Sequence, residues 1–322
     1  MPSAASRSYR AAIRAQGGRN SLRKPRQAQA YVDAVRATPE VAQPPRGILR
    51  SVRLEHRTLE FDGGANWPMY DLTPSGLATD APGLLYLHGG AYVSQINQEA
   101  WYFAARVAAQ SKIRLTVAIY PLVPFITADK LVPQAAHALQ HEQQRAPGVI
   151  LMGDSAGGGL ALAATIAARA AGAKLPEALV LISPWTDITL SHPDVTARER
   201  RDIMLAPAGL RHFGSLYRGE LAADDWRVSP LGAELSGLPP MQVFAAEDDV
   251  LYSDAIRLDE RVRAAGGSSE LHIGQRMLHD WPLANIPEGH EAVERIVSFA
   301  ARAAGRNVSP VPPQNWRPIE SR

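Results

Sequence analysis

The chain has 322 residues, 46% hydrophobic and 20% charged, a length and apolar share that fit one large α/β domain or two small ones around a sizeable core. A formal net charge of +2 excludes a dedicated nucleic-acid binder, and the absence of cysteine excludes a disulfide framework and thiolate chemistry.

Arg7, Arg10, Arg14, Arg19, Arg23, Lys24 and Arg26 all precede the first acid, Asp33. This start reads as a cap helix whose arginines face water. An organelle-targeting peptide and a basic segment touching anionic membranes are the alternatives. Pro39, Pro44 and Pro45 mark a hinge, so residues 1–50 are read as an N-terminal cap segment and 51–305 as the main domain. The cap segment is expected to shape the substrate pocket rather than the chemistry. Gly83–Leu87 is an apolar strand followed by His88–Gly89–Gly90–Ala91–Tyr92, where glycines free backbone N–H groups to point into a site. The ring of His88 reads as packed in its loop. Leu115–Ile119 and Ala178–Ile182 are continuous apolar runs that suit parallel strands covered on both faces. His137 and His141 stand four apart on a helix and could imitate a metal pair; without an evident third ligand they read as a solvated face.

Val149–Met152 is a strand, Gly153–Asp154–Ser155–Ala156–Gly157 a turn, and Leu160–Ala168 a helix. That succession is the setting of a nucleophile elbow, in which a serine sits on a sharp strand-to-helix turn. Residues 190–225 break the alternation with polar, charged and aromatic residues and read as a second cap piece. Met241–Ala246 is a strand ending in Glu247–Asp248–Asp249, at the strand end where parallel sheets gather ligand-binding groups. A helix follows from near Ser253 or Asp254. The strand Glu270–Ile273 leads to His279, in a loop before a helix that starts near Pro287. Residues 306–322 include the proline-rich run Val308–Pro313 and read as a flexible tail.

A serine hydroxyl needs a base to take its proton and an acid to orient that base. Of the nine histidines, only His272, His279 and His290 follow the acid cluster, and His279 alone lies in a loop after the last strand. The order serine, acid, histidine suits Ser155, one of the three acids, and His279. Negative charge building on a carbonyl oxygen needs fixed N–H donors, each worth about 3–4 kcal/mol. Gly89, Gly90 and Ala156 are the candidates.

With His88–Ala91, Gly153–Gly158, Glu247–Leu251 and His279–Pro282 together, the chain resembles the hormone-sensitive-lipase family of esterases from about residue 55 to about 303. Ser183–Asp187 and Ser229–Leu231 also look like segments of that family. The resemblance implies an α/β-hydrolase fold: a mostly parallel central sheet with helices on both faces and a helical cap. It implies a carboxylic ester hydrolase. The family's acid lies two residues before a leucine, so Leu251 points to Asp249, with Asp248 the runner-up. The expected protein is a serine carboxylesterase acting on short- to medium-chain esters, with Ser155 as nucleophile, His279 as base and Asp249 as orienting acid. No cofactor or metal is needed, and the partner is a small-molecule ester.

The rivals are an amidase or deacetylase and a non-catalytic ligand receptor; an intact Ser155 and His279 argue against the receptor. No apolar run reaches the ~18 residues that span a bilayer, and the start lacks a secretory apolar core, so stable membrane insertion is not expected. The expected location is the cytoplasm, and a homodimer is allowed. One segment departs from the family. Many members carry Asp-Tyr-Arg-Leu-Ala-Pro-Glu where this chain has Ile119–Phe125, so any ion pair there is lost and substrate preference does not transfer.

Overall fold

The computed structural model describes residues 2–37, 42–61, 66–77 and 81–305. Pro39 of the expected hinge and the expected tail 306–322 lie outside the described residues. Strands β1 (Val52–Leu59), β2 (Trp67–Pro74), β3 (Gly83–Leu87), β4 (Arg114–Ala118), β5 (Val149–Asp154), β6 (Ala178–Ile182), β7 (Met241–Ala246) and β8 (Ser269–Gly274) form one sheet in the order β1-β2-β4-β3-β5-β6-β7-β8. β1 pairs antiparallel with β2 and β2 antiparallel with β4; every other pairing is parallel.

The central strands read as unbroken apolar runs because both faces are covered. Along β5, Val149 and Leu151 enter one core, while Ile150 and Met152 enter the other. β6 divides in the same way, Leu179 and Leu181 against Val180 and Ile182. The first core is closed by helices α4 (Ala128–Gln143), α5 (Ser155–Ala170) and α8 (Tyr252–Ala264), and the second by α3 (Gln98–Ser111) and α9 (Pro287–Ala303). Each fully buried Leu, Ile or Val contributes about 1.5–3 kcal/mol, so the two layers supply the main driving force. β1 and β2 carry no such run. β1 is an edge strand whose Arg53 and Glu55 face water, and its pattern did not mark it as a strand.

The expected alternation of strands and helices is present, and residues 190–225 fold as α6 (Asp194–Glu199) and α7 (Pro207–Arg218). The N-terminal segment forms α1 (Ala4–Gln16) and α2 (Pro25–Ala37). α2 lies on α7: Tyr31 packs near Phe213, with ring centroids 6.2 Å apart, and His212 Nε2 sits 2.9 Å from Gln29 Oε1. The Tyr31 and Ser94 hydroxyls are 2.7 Å apart, linking α2 to the loop after β3. No helix among the described residues is long and apolar enough to cross a membrane.

The departing segment Ile119–Phe125 braces the loop after β3 through Tyr120. The Tyr120 ring stacks on His88 at 4.5 Å, and its hydroxyl donates to the His88 carbonyl oxygen. The ion pairs of this region lie elsewhere. Asp71 on β2 accepts from Thr116 Oγ1 on β4 at 2.7 Å and from Arg145 Nη2 at 2.7 Å, just past α4. Glu142 pairs with Arg57 and Arg145. Burial alone would raise the Asp71 pKa, but the hydrogen bonds from Arg145 and Thr116 and the Arg57 charge outweigh it, leaving about 2 against an ordinary 3.8.

A depressed folded-state value stabilises the protein above the ordinary pKa and loses that contribution as pH falls towards about 2. The shift corresponds to about 2 kcal/mol. Asp71→Asn should therefore melt lower than the parent at pH 7, and the gap should narrow as pH falls from 4 to 2. Thermal melts across that range test this; a gap independent of pH contradicts it.

Candidate active site

Ser155 begins α5 at the end of β5, with φ of +51°, a left-handed conformation that costs a non-glycine residue energy. The sheet and helix can meet so sharply only because two neighbours lack side chains. A Cβ on Gly157 would fall 2.0 Å from the Leu87 carbonyl oxygen, and one on Gly153 would fall 2.3 Å from the Gly157 carbonyl oxygen. The turn presents the Ser155 hydroxyl at the C-terminal edge of the sheet and at the positive end of α5.

The β8–α9 loop brings His279 to that hydroxyl. His279 Nε2 lies 2.9 Å from Ser155 Oγ, and Nδ1 lies 2.7 Å from Asp249 Oδ2. Nδ1–H donates to the Asp249 carboxylate, which leaves Nε2 to accept the serine proton. Asp249 Oδ1 accepts the Leu251 N–H at 2.8 Å, fixing the carboxylate. All three groups are buried.

The acids that sequence could not separate face three ways. Glu247 Oε2 accepts the Arg276 N–H at 2.8 Å, Asp248 Oδ2 pairs with Arg10 at 2.8 Å, and Asp249 alone meets His279. Two further acids were not anticipated. Asp202, just past α6, accepts the N–H groups of Met204 and Leu205 at 2.8 Å and of Val250 at 3.0 Å, joining the 190–225 segment to the Asp249 loop. Burial and the Asp249 charge raise its pKa to about 6. Asp280 holds φ of +55°, and its Oδ2 lies 3.0 Å from His279 Nε2. Its only sequence signal is adjacency to His279. Burial would lower the His279 pKa, but the carboxylates of Asp249 and Asp280 outweigh it and hold it well above 6.5.

The loop after β3 requires a correction. The Gly89 N–H, expected at the oxyanion, is donated to Asp154 Oδ1 at 2.9 Å. The same oxygen accepts the Tyr86 hydroxyl at 2.5 Å. Burial and the Asp280 charge raise the Asp154 pKa to about 8, and the residue ties the serine turn to this loop. Gly90, Ala91 and Tyr92 follow with φ of +115°, +53° and +62°, a run of left-handed residues that turns the backbone back on itself. Among the described residues, the N–H groups of Gly90, Ala91 and Ala156 meet no acceptor. His88 is a packed ring: burial lowers its pKa to about 4, and Nδ1 lies 2.6 Å from the Gly89 carbonyl oxygen. His137 packs against Phe61, with ring centroids 5.4 Å apart, and His141 Nδ1 lies 3.4 Å from Glu142. Among the described residues no three histidines or acids gather as a metal site.

The sheet order and the serine turn define an α/β-hydrolase. The alpha/beta hydrolase fold family matches over residues 84–283, and the chain belongs to it. It is 33% identical over 283 residues to an acetyl-hydrolase of Streptomyces hygroscopicus, covering 80% of this chain and 93% of that protein. A carboxylesterase of Mycobacterium tuberculosis is 28% identical over 294 residues, covering 86% and 88%. Among solved structures, an esterase from the bacterial hormone-sensitive lipase family superposes with a TM-score of 0.73 at 27% identity, covering 87% of this chain and 98% of that chain. A hormone-sensitive-lipase homologue from a metagenome library gives 0.76 at 26% identity, covering 93% and 98%. The family resemblance read from the motifs is borne out.

The serine turn is the most demanding part of the site. Gly157→Ala should lower stability by about 3 kcal/mol or more, because its Cβ meets fixed backbone. Gly172→Ala, where φ is +64° and a Cβ meets nothing within 4 Å, should lose only about 1 kcal/mol. Denaturant titration compares the two; equal losses contradict the close approach.

Proposed function

We propose that the protein is a serine carboxylesterase that cleaves small carboxylic esters through an acyl-enzyme. The observation that carries this reading is the hydrogen-bonded line from Ser155 Oγ through His279 to Asp249 at a sharp strand-to-helix turn. Ser155 Oγ attacks the ester carbonyl carbon while its proton passes to His279 Nε2. The N–H groups of Gly90, Ala91 and Ala156 hold the oxyanion, with Ala91 in the place the sequence suggested for Gly89. The imidazolium, held by Asp249, gives its proton to the departing alkoxide as the C–O bond breaks. Water then repeats the sequence on the acyl-enzyme, releasing the acid and restoring the serine.

The acetyl-hydrolase, carboxylesterase and esterase names of the relatives support ester chemistry, and the first supports a small acyl group. The contacts of α2 with α7 and with Ser94 support residues 1–50 and 190–225 as one cap over the pocket. The cysteine-free composition is compatible with a cytoplasmic location.

Ser155→Ala should lower kcat on p-nitrophenyl acetate by about a million-fold. More than a hundredth of the parent rate would remove Ser155 from the role. Asp249→Asn should cost about 10⁴ in kcat, as loss of an orienting acid does in the trypsin example.

The pH dependence has a definite sign. His279 must be neutral to act as base, and its pKa is raised. The acid limb of kcat/KM should therefore lie above ~6.5, the ordinary imidazole value. Asp280→Asn removes one of the carboxylates that raise it and should move the limb down. A limb at or below ~6.5 in the parent, or one unmoved by the substitution, contradicts this assignment.

A further inference from the structure

The helix α1 has a light apolar anchor: among its residues only Ser6 is fully buried, and Tyr9 packs half-buried against the second core. A helix of 13 residues without a buried apolar stripe is marginal on its own. Beside Tyr9, its docking rests on polar contacts. Ser3 at its start binds Glu288 on α9, with distances of 2.6 and 2.9 Å. The Ser6 hydroxyl meets Met277 Sδ at 3.4 Å, and the Tyr9 hydroxyl donates to Glu99 on α3 at 3.0 Å. Arg10 makes the most consequential of these contacts. Its Nη2 lies 2.8 Å from Asp248 Oδ2 and also donates to the Arg201 carbonyl oxygen at 3.2 Å, while Nη1 donates to the Arg276 carbonyl oxygen at 3.2 Å.

These three partners belong to three separate loops. Asp248 precedes Asp249, Arg276 stands three residues before His279, and Arg201 precedes Asp202. Asp248 is 3% exposed. Among the described residues its only other cation is Arg201, whose Nε is 3.7 Å away on a side chain 48% exposed. A buried carboxylate left without its cation either protonates or drags its loop towards water.

We propose that Arg10 is a positioning residue for the reaction: its guanidinium holds the Asp249 loop and the His279 loop in one register from the N-terminal helix. The planar fork suits this work, because one group reaches a carboxylate and two carbonyl oxygens at fixed angles. The N-terminal segment then acts on the turnover step as well as on the pocket. This proposal rests on the reading of Ser155, His279 and Asp249 as the reacting set.

The test uses the full chain with Arg10→Met, Arg10→Lys, Asp248→Asn and the double variant Arg10→Met with Asp248→Asn. Active sites are counted by stoichiometric reaction with diethyl p-nitrophenyl phosphate, and kcat is expressed per counted site on p-nitrophenyl acetate. Arg10→Met should lower kcat per site by about 10²-fold while KM changes less than about twofold, as expected for displaced rather than missing machinery. Arg10→Lys should fall between it and the parent. The double variant should recover at least about tenfold over Arg10→Met, since no charge is left stranded. Should Arg10→Met fail to fold, the lysine and double variants carry the same comparison.

An unchanged kcat per site, with only fewer countable sites or a lower melting temperature, makes Arg10 merely structural and overturns the proposal. So does a change confined to KM, or a double variant no faster than Arg10→Met. A parent chain that hydrolyses the ester but takes up no organophosphate overturns the serine reading, and this proposal with it.

Discussion

The close approach of α5 to the end of β3 is the constraint on which the site depends. Helix and strand meet where Gly157 has no side chain: a methyl group there would fall 2.0 Å from the Leu87 carbonyl oxygen. That contact forces the turn at Ser155 into the left-handed region. It also brings Asp154 within hydrogen-bond reach of the loop after β3. The strain of order 1–2 kcal/mol at a left-handed serine is small beside two apolar layers, each of whose buried branched residues contributes a comparable amount. The fold can therefore hold an unfavourable turn at the point where reactivity is needed.

Around that turn the protein concentrates buried acids, and each is placed by specific donors. Asp202 takes three backbone N–H groups, Asp249 takes one and the imidazole, and Asp154 takes one and a tyrosine hydroxyl. A hydrogen bond to a charged group is worth about 1.5–3 kcal/mol, enough to offset burial only when several converge. Asp280 has fewer partners: among the described residues its Oδ1 meets no hydrogen-bond donor. Its raised pKa follows from burial. The consequence is an uneven surround: a carboxylate fixed by the Leu251 N–H on one side of the imidazole, and on the other one whose pKa burial raises.

Much of the fold was legible because covered parallel strands are written as unbroken apolar runs. β6 and β7 begin and end where those runs do. β1 was not legible, since an edge strand with charged residues facing water has no such run. At the site, the glycines flanking Ser155 and the loop position of His279 could be read directly, because both depend on local chain geometry. The identity of the acid needed side-chain direction: Glu247, Asp248 and Asp249 are consecutive yet face Arg276, Arg10 and His279. The exchange of Gly89 for Ala91 among the proposed N–H donors has a similar origin. Gly89 is occupied by Asp154, a partner 65 residues away that no local pattern reveals. The role of Arg10 was hidden for the same reason, for a basic helix alone does not say which carboxylate it meets.

The central claim is that Ser155 forms the covalent intermediate. Brief mixing of the parent protein with an activated acyl donor at low pH, followed by acid quench and peptide mapping by mass spectrometry, measures this directly. The account predicts one acyl group, on the peptide that contains Ser155 and on no other. An acyl group on another side chain, or turnover with no acylated peptide under conditions where the ester is consumed, would contradict it.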